Sequence, residues 1–352
     1  MGRCEATLQV YRPSGPNGDS DADHREAEIA LPLRDPRSAV KYQEGDTSQY
    51  TQECLMKAGL TLLMGCCLTV SFALAAQVPG PPGPPGGRGR GGAGFVVPTY
   101  DTLPPVLPAD LKSGGVLIFS KTNGFREEAG VQASNAALAA IAHERGYPYF
   151  VTENGAVMNK EQLSRFKLVI WNNNSGDVLT PQQRDAFRAW LENGGSYVGT
   201  HGAGGDPKYN PPNGRSSLAD WPWYIETLLG AQFTSHSPQQ FGDAHVEDRK
   251  SPLTRGMPAV FNRWDEFYSF ASNPRSLPGF HILITADEKS YKPGNATMGD
   301  DHPLAWWHCV GKGHVFYSAL AHGGMMYAEP VILQLYGNAM AWGLAQNGKA
   351  CH

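Results

Sequence analysis

The sequence predicts an α/β domain built on a doubly wound, mostly parallel sheet, and three observations predict it. First, Val116-Leu117-Ile118-Phe119-Ser120 and Lys167-Leu168-Val169-Ile170-Trp171 are nearly continuous apolar runs, the composition of strands covered on both faces. Second, helical patterns lie between such runs. Residues 127–145 carry apolar residues at helical spacing and stop at Gly146, and Thr180-Pro181 supplies an N-cap and a first-turn proline. Third, strands and helices alternate at the interval of βαβ units, which lay their strands parallel.

In chain order, the 116–120 strand precedes the 127–145 helix, a short strand at Tyr149-Phe150-Val151 and the 167–171 strand. The helix opened at Thr180 closes at Asn193-Gly194-Gly195, and Ser196 to Thr200 forms the next strand. The second half predicts a tryptophan-rich helix over Ser216 to Gly230, then loop and edge strand over Ala231 to Phe241 and Asp243 to Asp248. Strands follow at His281 to Ala286 and Val315 to Ser318, and a closing helix runs from Pro330 to Gln346. "PLAWWHCVGKGHVFYSALAHGG" reads as an added β-hairpin turning at Gly-Lys-Gly, with His308 and His314 expected on the surface beside the turn.

The N-terminal part is of another kind. Residues 1–55 are polar and aperiodic, a poorly structured extension. Met56-Lys57, an apolar run to Leu74 and the small-x-small Ala73-Leu74-Ala75 make residues 56–76 a signal peptide cleaved near Ala75 or Ala76. A signal opening at Met56 also points to Met56 as the start of translation. The run is short for a bilayer span, so no membrane span is expected after cleavage. Residues 77–113, opening "QVPGPPGPPGGRGRGGAGF", read as a Pro/Gly-rich flexible linker, and 114–347 as the folded domain. The expected location is the periplasm or outside the cell.

Residues 1–76 hold 7 of the 29 Lys+Arg and 10 of the 33 Asp+Glu, which leaves a net charge of −1 on the rest. A nearly neutral domain carries no electrostatic footprint for nucleic acid. Four of the six cysteines (Cys4, Cys54, Cys66, Cys67) lie within residues 1–76. Cys309 and Cys351 are left for a single disulfide in an oxidising compartment.

In doubly wound sheets, ligands bind beyond the carboxyl ends of the strands. That rule gathers residues 121–126, 172–174 and 200–202 at one rim. "GGSYVGTHGAGGD" ends a strand at His201 among glycines that do not spell a dinucleotide motif. It holds neither a serine elbow nor a cysteine nucleophile, so usual hydrolase and glutamine-amidotransferase chemistry is excluded. An imidazole at that turn suits a proton carrier or a metal ligand. Glu127, His322, Asp265 and Glu266 join His201 as candidate catalytic residues; in an extended "RWDEFYSF", only one of the adjacent carboxylates faces a pocket. Arg126, Asn173, His236 of "FTSHSP" and Trp306 are candidate substrate contacts, with core packing the alternative for Trp306. His201, His236 and His322 with a carboxylate would suffice for zinc, though their spacing is not that of a metal motif, and no cofactor is otherwise indicated.

"GGSYVGTHGA", "FTSHSP", "DEFYSF", "PLAWWHCVGKGHVFYSALAH" and the terminal "NAMAWGLA" together resemble the ThuA-like family, named for trehalose utilisation. The resemblance covers about residues 114–346 with the motifs in order. It implies a flavodoxin-like fold related to class I glutamine amidotransferases, with His201 where relatives of that fold keep a nucleophilic cysteine. It also implies a role in carbohydrate metabolism, on a disaccharide or its keto derivative. One position departs: the family commonly reads Gly-Phe-Arg-His where this chain reads Gly124-Phe125-Arg126-Glu127, a base with a pKa about two units lower.

Three functions follow as expectations. In the first, an exported enzyme uses His201 or Glu127 to remove a hydrogen beside a sugar ketone, while His322 protonates a departing oxygen. Ordinary glycoside hydrolysis would need carboxylates across the bond, which Asp265 and Glu266, as neighbours, do not provide. The alternatives are a non-catalytic carbohydrate-binding module and a metal-dependent hydrolase.

Overall fold

The computed structural model describes residues 98–111, 113–206, 220–346, 349 and 351. The expected N-terminal extension, the signal peptide and the start of the linker lie outside the described residues.

Strand β1 (Gly115–Phe119) pairs in parallel with β2 (Tyr149–Thr152) on one side and β3 (Phe166–Asn172) on the other. Beyond β3, β4 (Ser196–Thr200) and β11 (Gly313–Ser318) continue the parallel run. The order β2-β1-β3-β4-β11 is the doubly wound order of flavodoxin-like sheets. The sheet then extends through β10 (His302–Val310), β9 (His281–Asp287), β6 (Gln240–Val246) and β7 (Val260–Asp265). These last four join antiparallel, so only β10 and β6 run against the other seven. A separate antiparallel pair is formed by β5 (Phe233–His236) and β8 (Tyr268–Phe270).

The apolar runs are buried because helices cover both faces of the sheet. Leu117, Phe119, Val169, Trp171 and Tyr197 face one way, onto Phe187 and Leu191 of the helix Pro181–Glu192 and onto Trp221 and Tyr224. Their sequence neighbours Val116, Ile118, Leu168, Ile170 and Val198 face the other way. There they meet Leu138 and Ile141 of the helix Glu128–Glu144 and Ile332, Leu335 and Met340 of the helix Pro330–Gln346. We number these helices α1 (Glu128–Glu144), α3 (Pro181–Glu192) and α4 (Pro330–Gln346), with the single turn Lys160–Leu163 as α2. Period-2 side-chain alternation thus builds two cores, one on each face. The start of α3 is a capping box: the Thr180 hydroxyl accepts from the Gln183 N–H at 3.3 Å, and the Gln183 amide oxygen accepts from the Thr180 N–H at 2.9 Å.

Three expectations change. Residues 98–111, assigned to the linker, lie against the domain: Asp101 accepts from the Gly155 N–H at 2.8 Å and pairs with Lys121 at 2.9 Å, and Leu111 is buried. Strand β6 is internal, because β7 takes the edge. The tryptophan-rich segment is helical from Trp223 to Leu229, wound as a π-helix and ended by Gly230 at φ 72°. The start of that expected helix, residues 216–219, lies outside the described residues.

Cys309 and Cys351 form a disulfide. No helix among the described residues is long and apolar enough to cross a membrane.

Candidate functional site

Beyond the carboxyl ends of β3, β4 and β11, which are adjacent in the sheet, the backbone is forced into the left-handed region. Asn173 follows β3 at φ 55°, His201 follows β4 at φ 32°, and Ala321 lies just past β11 at φ 78°. Among the described residues these are the only non-glycine residues with positive φ. Such backbone costs on the order of 1–3 kcal/mol each and persists only where its surroundings fix it. Here they do: the Asn173 amide oxygen accepts from the Gly202 N–H at 3.1 Å, and the Asn173 amide donates to the Tyr327 hydroxyl at 3.1 Å. The Asn173 N–H donates to Thr200 Oγ1 at 3.1 Å, and Thr200 donates to the Asn172 amide oxygen at 2.9 Å. The glycines after His201 make room for protein groups. A Cβ on Gly204 would lie 2.4 Å from the Tyr317 ring, and one on Gly202 would lie 3.1 Å from Asn173 Cα.

That elbow aims His201 at two other side chains. Its Nε2 lies 3.0 Å from His322 Nδ1 and 3.3 Å from Glu266 Oε1, and His322 Nδ1 lies 3.0 Å from the same Oε1. On the far side of the ring, His201 Nδ1 is 2.7 Å from the Ala319 carbonyl oxygen. That oxygen only accepts, so Nδ1 carries the hydrogen and Nε2 of the neutral ring presents a lone pair. Tyr268 covers the His201 ring with centroids 4.2 Å apart. The two nitrogens and the carboxylate oxygen are the atoms among the described residues placed to hold a metal ion together.

Asp265 does not face this cluster. It is fully buried, pairs with Arg263 Nε at 3.2 Å, and accepts from the N–H groups of Ala321 at 2.8 Å and His322 at 3.2 Å. Of the two adjacent carboxylates Glu266 points to the histidines, while Asp265 fixes the backbone that carries His322. Burial opposes the charge on Glu266, yet its contacts with His201 and His322, which favour the carboxylate most when those rings are charged, outweigh it and hold its pKa below the usual carboxylate range. Burial likewise opposes a charged His322, but the hydrogen bond to Glu266, with the charges of Glu266, Asp265 and Glu127, raises its pKa above the ordinary histidine value.

The cleft above the cluster is lined by Glu127, Asn173, Tyr268, His201, His322 and Phe125. Glu127 also caps α1 by accepting from the Gly130 N–H. Phe125 is 69% exposed and stacks on His322 with centroids 6.4 Å apart and planes 20° apart. Phe125 and Tyr268 were not among the candidates; the signal for Phe125 was its place in the rim segment after β1.

Five residues stand elsewhere than expected. The Arg126 guanidinium is engaged by Glu128 at 2.6 Å and Glu153 at 2.8 Å, which ties down the loop after β1. His236 reaches the other oxygen of Glu266 at 3.4 Å and is half exposed, so the carboxylate of Glu266 takes the place expected for His236 in the cluster. Trp306 is fully buried and donates to the Leu229 carbonyl at 2.9 Å, a core residue with no face for a sugar. His308 and His314 are buried, not on the surface: Phe280 stacks on His308 at 3.9 Å, and the edge of Trp342 meets His314 at 5.7 Å. Burial lowers the His308 pKa to about 4.

Two solved structures share the fold. A ThuA-like protein from Bacteroides uniformis is 24% identical over 70% of this chain and 98% of its own, with a TM-score of 0.57. A ThuA-like protein from Parabacteroides merdae is 17% identical over 68% of this chain and 97% of its own, with a TM-score of 0.51. No curated protein matches the chain. Residues 115–343, which span the whole sheet and every member of the cluster, match the family described as trehalose utilisation. The chain therefore belongs to the ThuA family.

Proposed function

We propose that this chain is an exported enzyme of carbohydrate metabolism that carries out proton transfer on a disaccharide or keto-sugar at its histidine pair. One observation carries the reading: two imidazole nitrogens and a carboxylate oxygen converge within 3.3 Å beneath a cleft rimmed by an exposed aromatic ring. An exposed ring suits the apolar face of a sugar. His322 donates to a carbonyl oxygen of that sugar and so polarises it, and Glu127, whose charge acts on His322, removes the hydrogen from the adjacent carbon. The electrons of the broken C–H bond pass onto the carbonyl oxygen as an enolate. In an isomerisation Glu127 returns the proton to the former carbonyl carbon, while the adjacent hydroxyl gives its hydrogen to the enolate oxygen and becomes the new carbonyl. In an eliminative cleavage the enolate re-forms its carbonyl, a C=C bond replaces the broken C–O bond, and Glu127 gives the proton to the departing glycosidic oxygen. The Cys309–Cys351 disulfide supports export, since such bonds persist in oxidising compartments.

The test is turnover of trehalose, other disaccharides and their keto forms by the wild type, Glu127→Gln and His201→Ala. The expected result is turnover of a keto form with a loss on the order of 10²–10⁴-fold in each variant. Sugar binding without turnover would make the chain a binding module and overturn the enzymatic reading.

A further inference from the structure

We infer that His201 Nε2, His322 Nδ1 and Glu266 Oε1 are three ligands of one divalent first-row transition-metal ion. With the His201 ring neutral, hydrogen bonding alone leaves these atoms mismatched. His201 Nε2 offers a lone pair, because Nδ1 gives its hydrogen to Ala319, and Glu266 Oε1 offers only lone pairs. His322 Nδ1 carries at most one hydrogen and lies 3.0 Å from both. Whichever it serves, the 3.3 Å contact between His201 Nε2 and Glu266 Oε1 sets two acceptors face to face. A cation bound to all three removes that conflict.

The triangle has the right size. With edges of 3.0, 3.0 and 3.3 Å, a point about 1.1 Å above its plane lies about 2.1 Å from every corner, the bond length to imidazole nitrogen and carboxylate oxygen. Ligands on bonds of that length stand about 3.0 Å apart at a right angle and about 3.4 Å apart at the tetrahedral angle. Two edges fit the face of an octahedron, and the third lies between the two geometries. Two imidazoles with one carboxylate favour manganese-to-zinc ions over magnesium or calcium.

The surroundings hold these atoms in place without the ion. The Ala319 carbonyl sets the His201 ring, as partners behind metal-bound histidines do. Asp265 holds the backbone N–H groups of Ala321 and His322. The inference rests on the carbohydrate reading only for what fills the remaining positions, which suit neighbouring oxygens of a keto-sugar.

The experiment strips the full chain with chelator and titrates it with Mn²⁺, Co²⁺ and Zn²⁺, reading stoichiometry by elemental analysis and affinity by calorimetry. One ion per chain is expected, with the weak visible absorption of six-coordinate Co²⁺. His201→Ala, His322→Ala and Glu266→Gln, each checked for folding by circular dichroism, should bind at least about 100-fold more weakly. His245→Ala, at an exposed histidine, should bind as the wild type does. A wild type that takes up no stoichiometric ion overturns the inference whether or not the variants fold, and so do folded variants with unchanged affinity. Turnover of a keto-sugar by a wild type that binds no ion would remove the ion and keep the carbohydrate reading. A loaded chain that binds sugar and turns over none would keep the ion and remove the enzymatic reading.

Discussion

Histidine meets glutamate in two buried places in this molecule, and the two are built to opposite ends. His302, fully buried at the start of β10, has Nδ1 2.7 Å from Glu288 Oε1 and 3.1 Å from the Tyr291 hydroxyl, and Nε2 2.7 Å from the Tyr268 carbonyl. Glu288 also accepts from the Thr297 hydroxyl at 2.6 Å and the Met298 N–H at 2.5 Å. There too the ring nitrogen facing the glutamate donates only when the ring is charged, since Nε2 gives its hydrogen to the Tyr268 carbonyl. The Tyr291 hydroxyl, the Thr297 hydroxyl and the Met298 N–H close that pair in, and it fastens the 288–302 loop to β8. At His201, His322 and Glu266 a second histidine joins the meeting, the backbone is strained, and a cleft lies above. Residue types and the histidine–glutamate contact are shared; what sets the proposed site apart is a second histidine and strained backbone beneath an open cleft.

The largest expected effect tests that contrast directly. If the proposed reaction holds, Glu266→Gln should lower kcat on the order of 10³-fold with little change in stability, because it removes the charge beside His201 and His322 and keeps the shape. His302→Ala should do the reverse, costing about 3 kcal/mol in urea unfolding, since it empties a fully buried site and removes the ring that links Glu288 to the Tyr268 carbonyl. If Glu266→Gln unfolds as readily as His302→Ala and still turns over substrate, the two centres are both structural.

A smaller effect follows from pH. Burial opposes the charge on Glu288, but the Thr297 hydroxyl, the Met298 N–H and His302 outweigh it and lower its pKa. The folded chain thus keeps this carboxylate charged to lower pH than the unfolded chain, where its pKa is about 4.3. The stability it adds is fully present above that value and is lost as pH falls through the folded pKa. Glu288→Gln should therefore cost about 2 kcal/mol at pH 7, with the gap from wild type shrinking below about pH 4. A gap of constant size from pH 7 to pH 3 would show that shape, not charge, holds the loop.

Much of this site could be read from the chain before folding, and the rest could not. The strands, α1, α3 and α4 follow from apolar runs and caps, and the strand-end rule placed residues 121–126, 172–174 and 200–202 at one rim. That only one of Asp265 and Glu266 faces a pocket follows from strand alternation alone. That Glu266 stands beside His201 was not legible, because β11, β10, β9 and β6 separate β4 from β7 in the sheet order, and no local spacing records such a meeting. Trp306, His308 and His314 misled for a related reason. The β10–β11 hairpin looks like an exposed ribbon in isolation, yet β9 and β4 flank it and Phe280 and Trp342 cover its histidines.

The smallest effect asks whether the cleft mouth belongs to the working site or only shelters it. Phe125 is mostly exposed, so Phe125→Ala should leave stability within about 0.5 kcal/mol of wild type. If the ring stacks on a sugar in ground state and transition state alike, its loss should raise KM about tenfold, from about 1.4 kcal/mol, with kcat nearly unchanged. Phe125→Trp should recover the lost affinity, since a larger ring offers the same face. The competing role is as a cover, because the ring lies over His322 at 6.4 Å. A cover lost to water would lower kcat and spare KM, since water entering the site weakens every charge interaction there. A split toward KM therefore joins the rim to the centre as one binding surface, and a split toward kcat would make Phe125 a shield for His322.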